Sequence, residues 1–176
     1  MKNYFIMLMA MVINAFFISV IIFAVYLIIK KIIKKKISIK RSLVEFAFIW
    51  YVFTLLEVTG IIGILSMTQY KWEWLLESFD VIKIIIPQDG GEVAMLICNC
   101  VLFIPFGYLL PIIFHRMKII RVLIISLIVI LIIELLQAAG GRMLEVNDIV
   151  TNLLGTVIGY MLYKLCFDLQ KRKNEK

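Results

Sequence analysis

The chain has 176 residues, 63% of them hydrophobic, a formal net charge of +7 and a mean hydropathy of +1.02. Soluble domains carry roughly 45–50% apolar residues, so the composition excludes a soluble globular protein and describes an integral membrane one. The length leaves room for a handful of helices with short connections, and a single integral membrane domain over residues 1–176 is expected.

A bilayer span needs about 20 consecutive, mostly apolar residues. Five stretches qualify in chain order, residues 4–29, 43–67, 93–114, 119–139 and 149–167. The first is far longer than the apolar region of a signal peptide and shows no convincing cleavage site, so it reads as a retained span. The connection after it carries Lys30, Lys31, Lys34, Lys35, Lys36, Lys40 and Arg41; the third connection carries Arg116, Lys118 and Arg121. The last stretch carries Lys164, Lys171, Arg172, Lys173 and Lys176. With an odd number of spans these three regions share one side, and the positive-inside rule makes it the cytoplasm. The expectation is an all-α membrane protein with five transmembrane helices, the N-terminus outside and the C-terminus cytoplasmic. The basic charge is then a topology signal, which argues against nucleic-acid binding, although the basic tail suits contact with anionic lipid.

Between the second and third spans, Trp72, Leu75, Leu76, Phe79, Ile82 and Ile86 recur at helical spacing, with Lys71, Glu73, Ser78 and Asp80 mostly elsewhere on the wheel. This predicts an outer amphipathic helix lying in the interface, ended by the turn residues PQDGG at 87–91. It serves as a passive anchor or, alternatively, as a lid. Cys98, Cys100 and Cys166 fall inside spans and read as small apolar residues. Two residues advance a helix by about 200°, so the C-x-C pair does not converge, and neither a metal site nor a cofactor is expected. His115 reads as a solvated boundary residue beside Arg116. Glu45 and the basic residues near it need no special role, whereas Glu57 is a further buried acid able to join a polar cluster.

The stretch IIELLQAAGGRMLEVNDIVTN, residues 132–152, stands out against this background. Glu134 and Gln137 are three residues apart and share one helix face. Glu134 lies about 7.5 Å from the outer end of its span. Residues 122–136 supply thirteen Val, Leu and Ile, enough at roughly −0.3 to −0.6 kcal/mol each to outweigh an acid costing about 2.5–3.5 kcal/mol. The acid must nonetheless face a partner or water, which makes it a functional candidate. Arg142 is the named partner, with Asp148 competing for it. Asp148 and Asn152 are spaced i,i+4, and Gly155 and Gly159 continue that stripe as a small-x-x-x-small motif permitting close helix approach. Asn99 in the third span is expected at the same depth. Pro105 removes a backbone donor and is expected to kink the third span, with Gly107 allowing a bend or close packing beside it.

Taken together, NCVLFIPFGYLLP (99–111), IELLQ (133–137), Arg142 and NDIVTNLLGTVIGY (147–160) resemble the VanZ-like family of bacterial membrane proteins. The founding member of that family is associated with resistance to the lipoglycopeptide teicoplanin. The shared pattern falls on Asn99, Phe103, Pro105, Gly107, Glu134, Gln137, Arg142, Asp148, Asn152, Gly155 and Gly159, and the VanZ-like region covers about residues 79–165. FDVIKIIIPQ (79–88) departs from the family's corresponding segment in lacking an Asn and a Phe, and the first two spans carry no family signature.

The resemblance implies a multi-pass protein of the bacterial plasma membrane. The favoured reading is a non-enzymatic protein that engages a lipid-linked envelope precursor or a lipid-tailed antibiotic through Asn99, Glu134, Gln137, Arg142, Asp148 and Asn152, with Arg142 suited to a phosphate or carboxylate. An enzymatic alternative makes Glu134 an acid or base and has Asp148 orient a water. A small transporter is the third reading, and no internal repeat supports it. A structural alternative, in which these charges and amides only pin a short hairpin, stands beside all three.

Overall fold

The computed structural model describes residues 2–35, 38–65, 90–115, 117–142 and 144–174. Six helices occupy them: α1 (Lys2–Ile32), α2 (Ile39–Val58), α3 (Ile61–Leu65), α4 (Gly90–Ile113), α5 (Ile119–Ala139) and α6 (Val146–Asn174). Four are long and apolar enough to cross a membrane, over Ile6–Ile32, Gly90–Ile113, Ile119–Ala139 and Val146–Leu169. In a bilayer every backbone donor and acceptor must be satisfied within the protein, which a helix does segment by segment. The expected interfacial helix lies outside the described residues, apart from Gly90 and Gly91, which open α4.

The second expected span differs. Instead of one helix over residues 43–67, α2 stops at Val58 and α3 begins at Ile61. The break sits at Gly60, which takes φ +77°, a left-handed conformation that a side chain disfavours. The amides of Thr59 and Gly60 close the last turn on the carbonyls of Leu55 and Glu57, both at 3.0 Å. Lys40, Arg41, Glu45 and Glu57 also place four charged side chains in the twenty residues of α2.

The chain divides into two compact units, Met1–Ser66 and Met67–Lys176. In the first, α1 and α2 pack through aromatic rings. Phe16 meets Phe46 and Trp50 edge-on with centroids 5.8 and 5.3 Å apart, and Trp50 Nε1 donates to the carbonyl of Val12 at 3.3 Å. Ala15 and Ser19, both fully buried, supply small side chains on α1. The Ser19 hydroxyl is satisfied within its own helix by the carbonyl of Ala15.

In the second unit α6 packs most closely against α4 and also contacts α5. Three glycines permit that closeness. A Cβ added at Gly155 would collide with the carbonyl of Cys100, one at Gly159 with the carbonyl of Ile104, and one at Gly107 with the backbone of Thr156. The small-residue stripe of α6 is therefore consumed inside the chain, backbone against backbone, with the close Cα–H to carbonyl approach such interfaces favour. α4 runs on as helix through Pro105 and Pro111. Its Phe103, Phe106 and Leu110 are buried with Val122, Ile130 and Ile133 of α5. Ile120, Ile124, Ile128, Leu131 and Ile132 are exposed instead, an apolar surface suited to lipid.

Candidate functional site

The polar residues of the second unit collect where α5 turns into α6. Val122, Ser126, Ile130, Ile133, Glu134 and Gln137 form the buried stripe of α5 at helical spacing. Hydrophobicity cannot mark this stripe, since both faces of α5 are apolar; its polar members mark it.

The turn is built by two glycines. The Arg142 amide donates to the carbonyl of Gln137 at 3.0 Å and the Gly141 amide to that of Ala138 at 2.9 Å. This is the Schellman pattern with Gly141 at φ +90° in the left-handed position. It folds the chain back over the end of α5 and sets Arg142, exposed, at the rim. Leu144 is buried just beyond it, and α6 begins at Val146.

Asp148 lies in the first turn of α6, where the helix dipole favours a carboxylate. Asn99 of α4 donates from Nδ2 to Asp148 Oδ1 at 2.7 Å, joining residues 49 apart in sequence. Glu134 is only 3% exposed, and the charges acting on it are Asp148, Arg142 and Glu145. Asn152, one turn after Asp148, is 5% exposed, and its Oδ1 is a buried acceptor with no hydrogen-bond partner among the described residues. Gln137 is buried one turn beyond Glu134 on the same face. Burial pushes the Glu145 carboxyl above its ordinary value, Asp148 adds to the rise and Arg142 opposes it. Three carboxylates, Glu134, Glu145 and Asp148, thus share the influence of one arginine.

Of the residues expected to converge, Asn99, Glu134, Arg142 and Asp148 are brought together directly, and Gln137 and Asn152 are buried on the same helix faces. The partnership differs in detail from the expectation. Asp148 is bound by Asn99, and Arg142 acts on several acids at once. Glu145 belongs to the polar stretch at 132–152 but not to the residues expected to converge, because only the backward fold of the Schellman turn carries it into the cluster. Pro105, Gly107, Gly155 and Gly159 lie below the cluster, where the three glycines form the close α4–α6 contact. Glu57 is half-buried on α2 in the other unit. Among the described residues no three His, Cys, Asp or Glu side chains are grouped to hold a metal ion.

Long apolar helices enclosing a buried polar cluster at a hairpin tip describe a multi-pass membrane protein with a candidate functional site. The family model for VanZ/LLP1 matches residues 4–167, nearly the whole chain. The chain belongs to the VanZ/LLP1 family. Its match includes α1 and α2, in which the sequence alone offered no family signature. No curated protein and no solved structure matches the chain significantly.

Proposed function

We propose that this protein engages the headgroup of a lipid-linked or lipid-tailed amphiphile at the outer leaflet of the bacterial plasma membrane, through the cluster at the α5–α6 tip. By that engagement it contributes to protection of the cell envelope, including protection against lipoglycopeptides of the teicoplanin type. The observation that carries this reading is the imbalance of the cluster. Glu134 is buried with two acids and one arginine acting on it, and the Asn152 Oδ1, one turn after Asp148, is an orphaned acceptor among the described residues. A buried polar atom left unbonded costs roughly 1–3 kcal/mol, and an unbalanced intramembrane acid costs more. A cluster serving only to pin the hairpin has no reason to keep either.

The acids outnumber Arg142, so the headgroup that fits is rich in hydrogen-bond donors such as hydroxyl, amide or ammonium groups. A bare anion would compete with Glu134, Glu145 and Asp148 for the arginine. The test compares teicoplanin with vancomycin susceptibility in cells expressing wild type or Glu134→Ala at equal membrane levels. Selective protection against the lipidated drug by wild type, abolished in Glu134→Ala, is the expected result. Equal protection by both proteins, or none by wild type, removes the reading.

A further inference from the structure

The first unit holds a charged cluster of the opposite balance. A cleft of about 370 Å³ lies at the lysine-rich ends of α1 and α2, lined by Lys30, Lys35, Arg41 and Glu45 together with Ile29 and Ile33. Lys30 Nζ donates to Glu45 Oε2 at 2.7 Å and Arg41 Nε to Oε1 at 3.0 Å, so each carboxylate oxygen already has a cation. Lys30 also stands over the ring of Tyr26, 5.1 Å from its centroid. Lys30 and Glu45 are both buried, whereas the Arg41 side chain is 53% exposed. Three cations meet one acid, and the excess is positive.

The backbone brings the third cation in. At the end of α1 the Lys34 amide donates to the carbonyl of Lys31 at 3.1 Å and the Lys35 amide to that of Lys30 at 3.0 Å. This is again a Schellman turn, but its left-handed position is held by Lys34 at φ +55° where glycine is the usual occupant. A left-handed residue with a side chain is strained, and strain of this kind clusters where a ligand is held. The turn returns Lys35 to the cleft beside Arg41.

We infer that this cleft binds the phosphate headgroup of an anionic membrane lipid. Lys35 and Arg41 take the phosphate, for which the planar guanidinium fork is suited. Ile29 and Ile33 face the start of the acyl chains. The buried Lys30–Glu45 pair fixes α1 against α2 and absorbs the one carboxylate among the described residues lining the cleft. Basic pockets between membrane helices hold anionic headgroups by this combination of charge and apolar flank.

Native mass spectrometry of the full-length protein in detergent, titrated with phosphatidylglycerol or phosphatidylcholine, tests the assignment. Wild type is expected to retain phosphatidylglycerol in preference. The double variant K35Q/R41Q should lose roughly thirtyfold in affinity for it, as the removal of two juxtamembrane cations implies. The charge-matched variant K31Q/K40Q, altered at two exposed lysines outside the lining, should stay close to wild type. Equal losses in the two double variants would reduce the effect to diffuse charge and overturn the site. Glycerol phosphate binding as tightly as the lipid would overturn the lipid assignment. Should K35Q/R41Q misfold, K35Q alone, at an exposed side chain, must still weaken phosphatidylglycerol binding more than K31Q does, or the inference fails.

Discussion

Two buried glutamates divide this molecule. Glu45 of the first unit is held by Lys30 and Arg41 at 2.7 and 3.0 Å, and cations outnumber it. Glu134 of the second lies in the field of one arginine, Arg142, which Asp148 and Glu145 share with it. Burial alone therefore does not separate a structural acid from a functional candidate; the charge balance around it does. A matched acid explains itself by the helices it joins. An unmatched one, in an apolar medium where the cost is highest, calls for something the chain does not supply.

The largest expected effect breaks the matched side of this comparison. Glu45→Ala leaves Lys30 buried without its counterion, and losing one partner of a buried pair costs about 3–5 kcal/mol. Thermal unfolding of the purified protein in detergent should show a corresponding fall; an unchanged midpoint would mean the pair is not needed for packing.

Next in size is the frame that holds the unmatched side. Gly155→Ala drives a methyl into the carbonyl of Cys100. Overpacking of this kind typically costs about 1–3 kcal/mol, read as a lower unfolding midpoint. The same substitution at Gly63, where a Cβ meets nothing, serves as the tolerant control.

Lys34→Gly relaxes the left-handed turn beside Glu45 and should stabilise the protein by on the order of 1 kcal/mol. If it also leaves phosphatidylglycerol binding intact, the turn geometry rather than the Lys34 charge is what the cleft requires.

The smallest effect is a pH dependence. Glu145 has its carboxyl raised above 4.5 in the folded protein, so the native state holds that proton more tightly than the unfolded chain. Its contribution is present below pH 4.5 and is lost as pH rises through the folded value. Glu145→Gln should therefore be more stable than wild type at neutral pH, with the difference vanishing near pH 4, as measured by unfolding midpoints across a pH series. A difference that grows on acidification would reverse the sign and show that Glu145 is matched after all.

Much of the second unit was legible in the sequence because polar residues in a nearly uniform apolar chain mark the inward face. Glu134, Gln137, Asp148 and Asn152 identified the cluster, and α5 occupies the bounds expected from apolar length alone. The glycine spacing on α6 announced a close helix contact, but not that α4 rather than a second chain would fill it. That choice depends on Gly107, which the sequence offers only as allowing a bend or close packing, and on the carbonyls of Cys100 and Ile104, which carry no sequence signal. The first unit was less legible. Lys30 reads as part of a solvated basic connection, yet α1 runs past it and buries it against Glu45. The break at Gly60 was hidden by apolar residues on both sides. Glu145 depended on a three-dimensional turn, since its position relative to Glu134 is set by Gly140 and Gly141 rather than by helical periodicity.

The contrast between the two acids is tested most directly by comparing the unfolding midpoints of Glu134→Gln and Glu45→Gln with wild type under one condition. Glu134→Gln replaces an unmatched buried acid with a neutral amide of the same shape, and its midpoint should equal or exceed that of wild type while Glu45→Gln falls well below it. A fall in Glu134→Gln as large as that in Glu45→Gln would show that Glu134 holds the hairpin together as Glu45 holds α1 to α2, and would contradict the account.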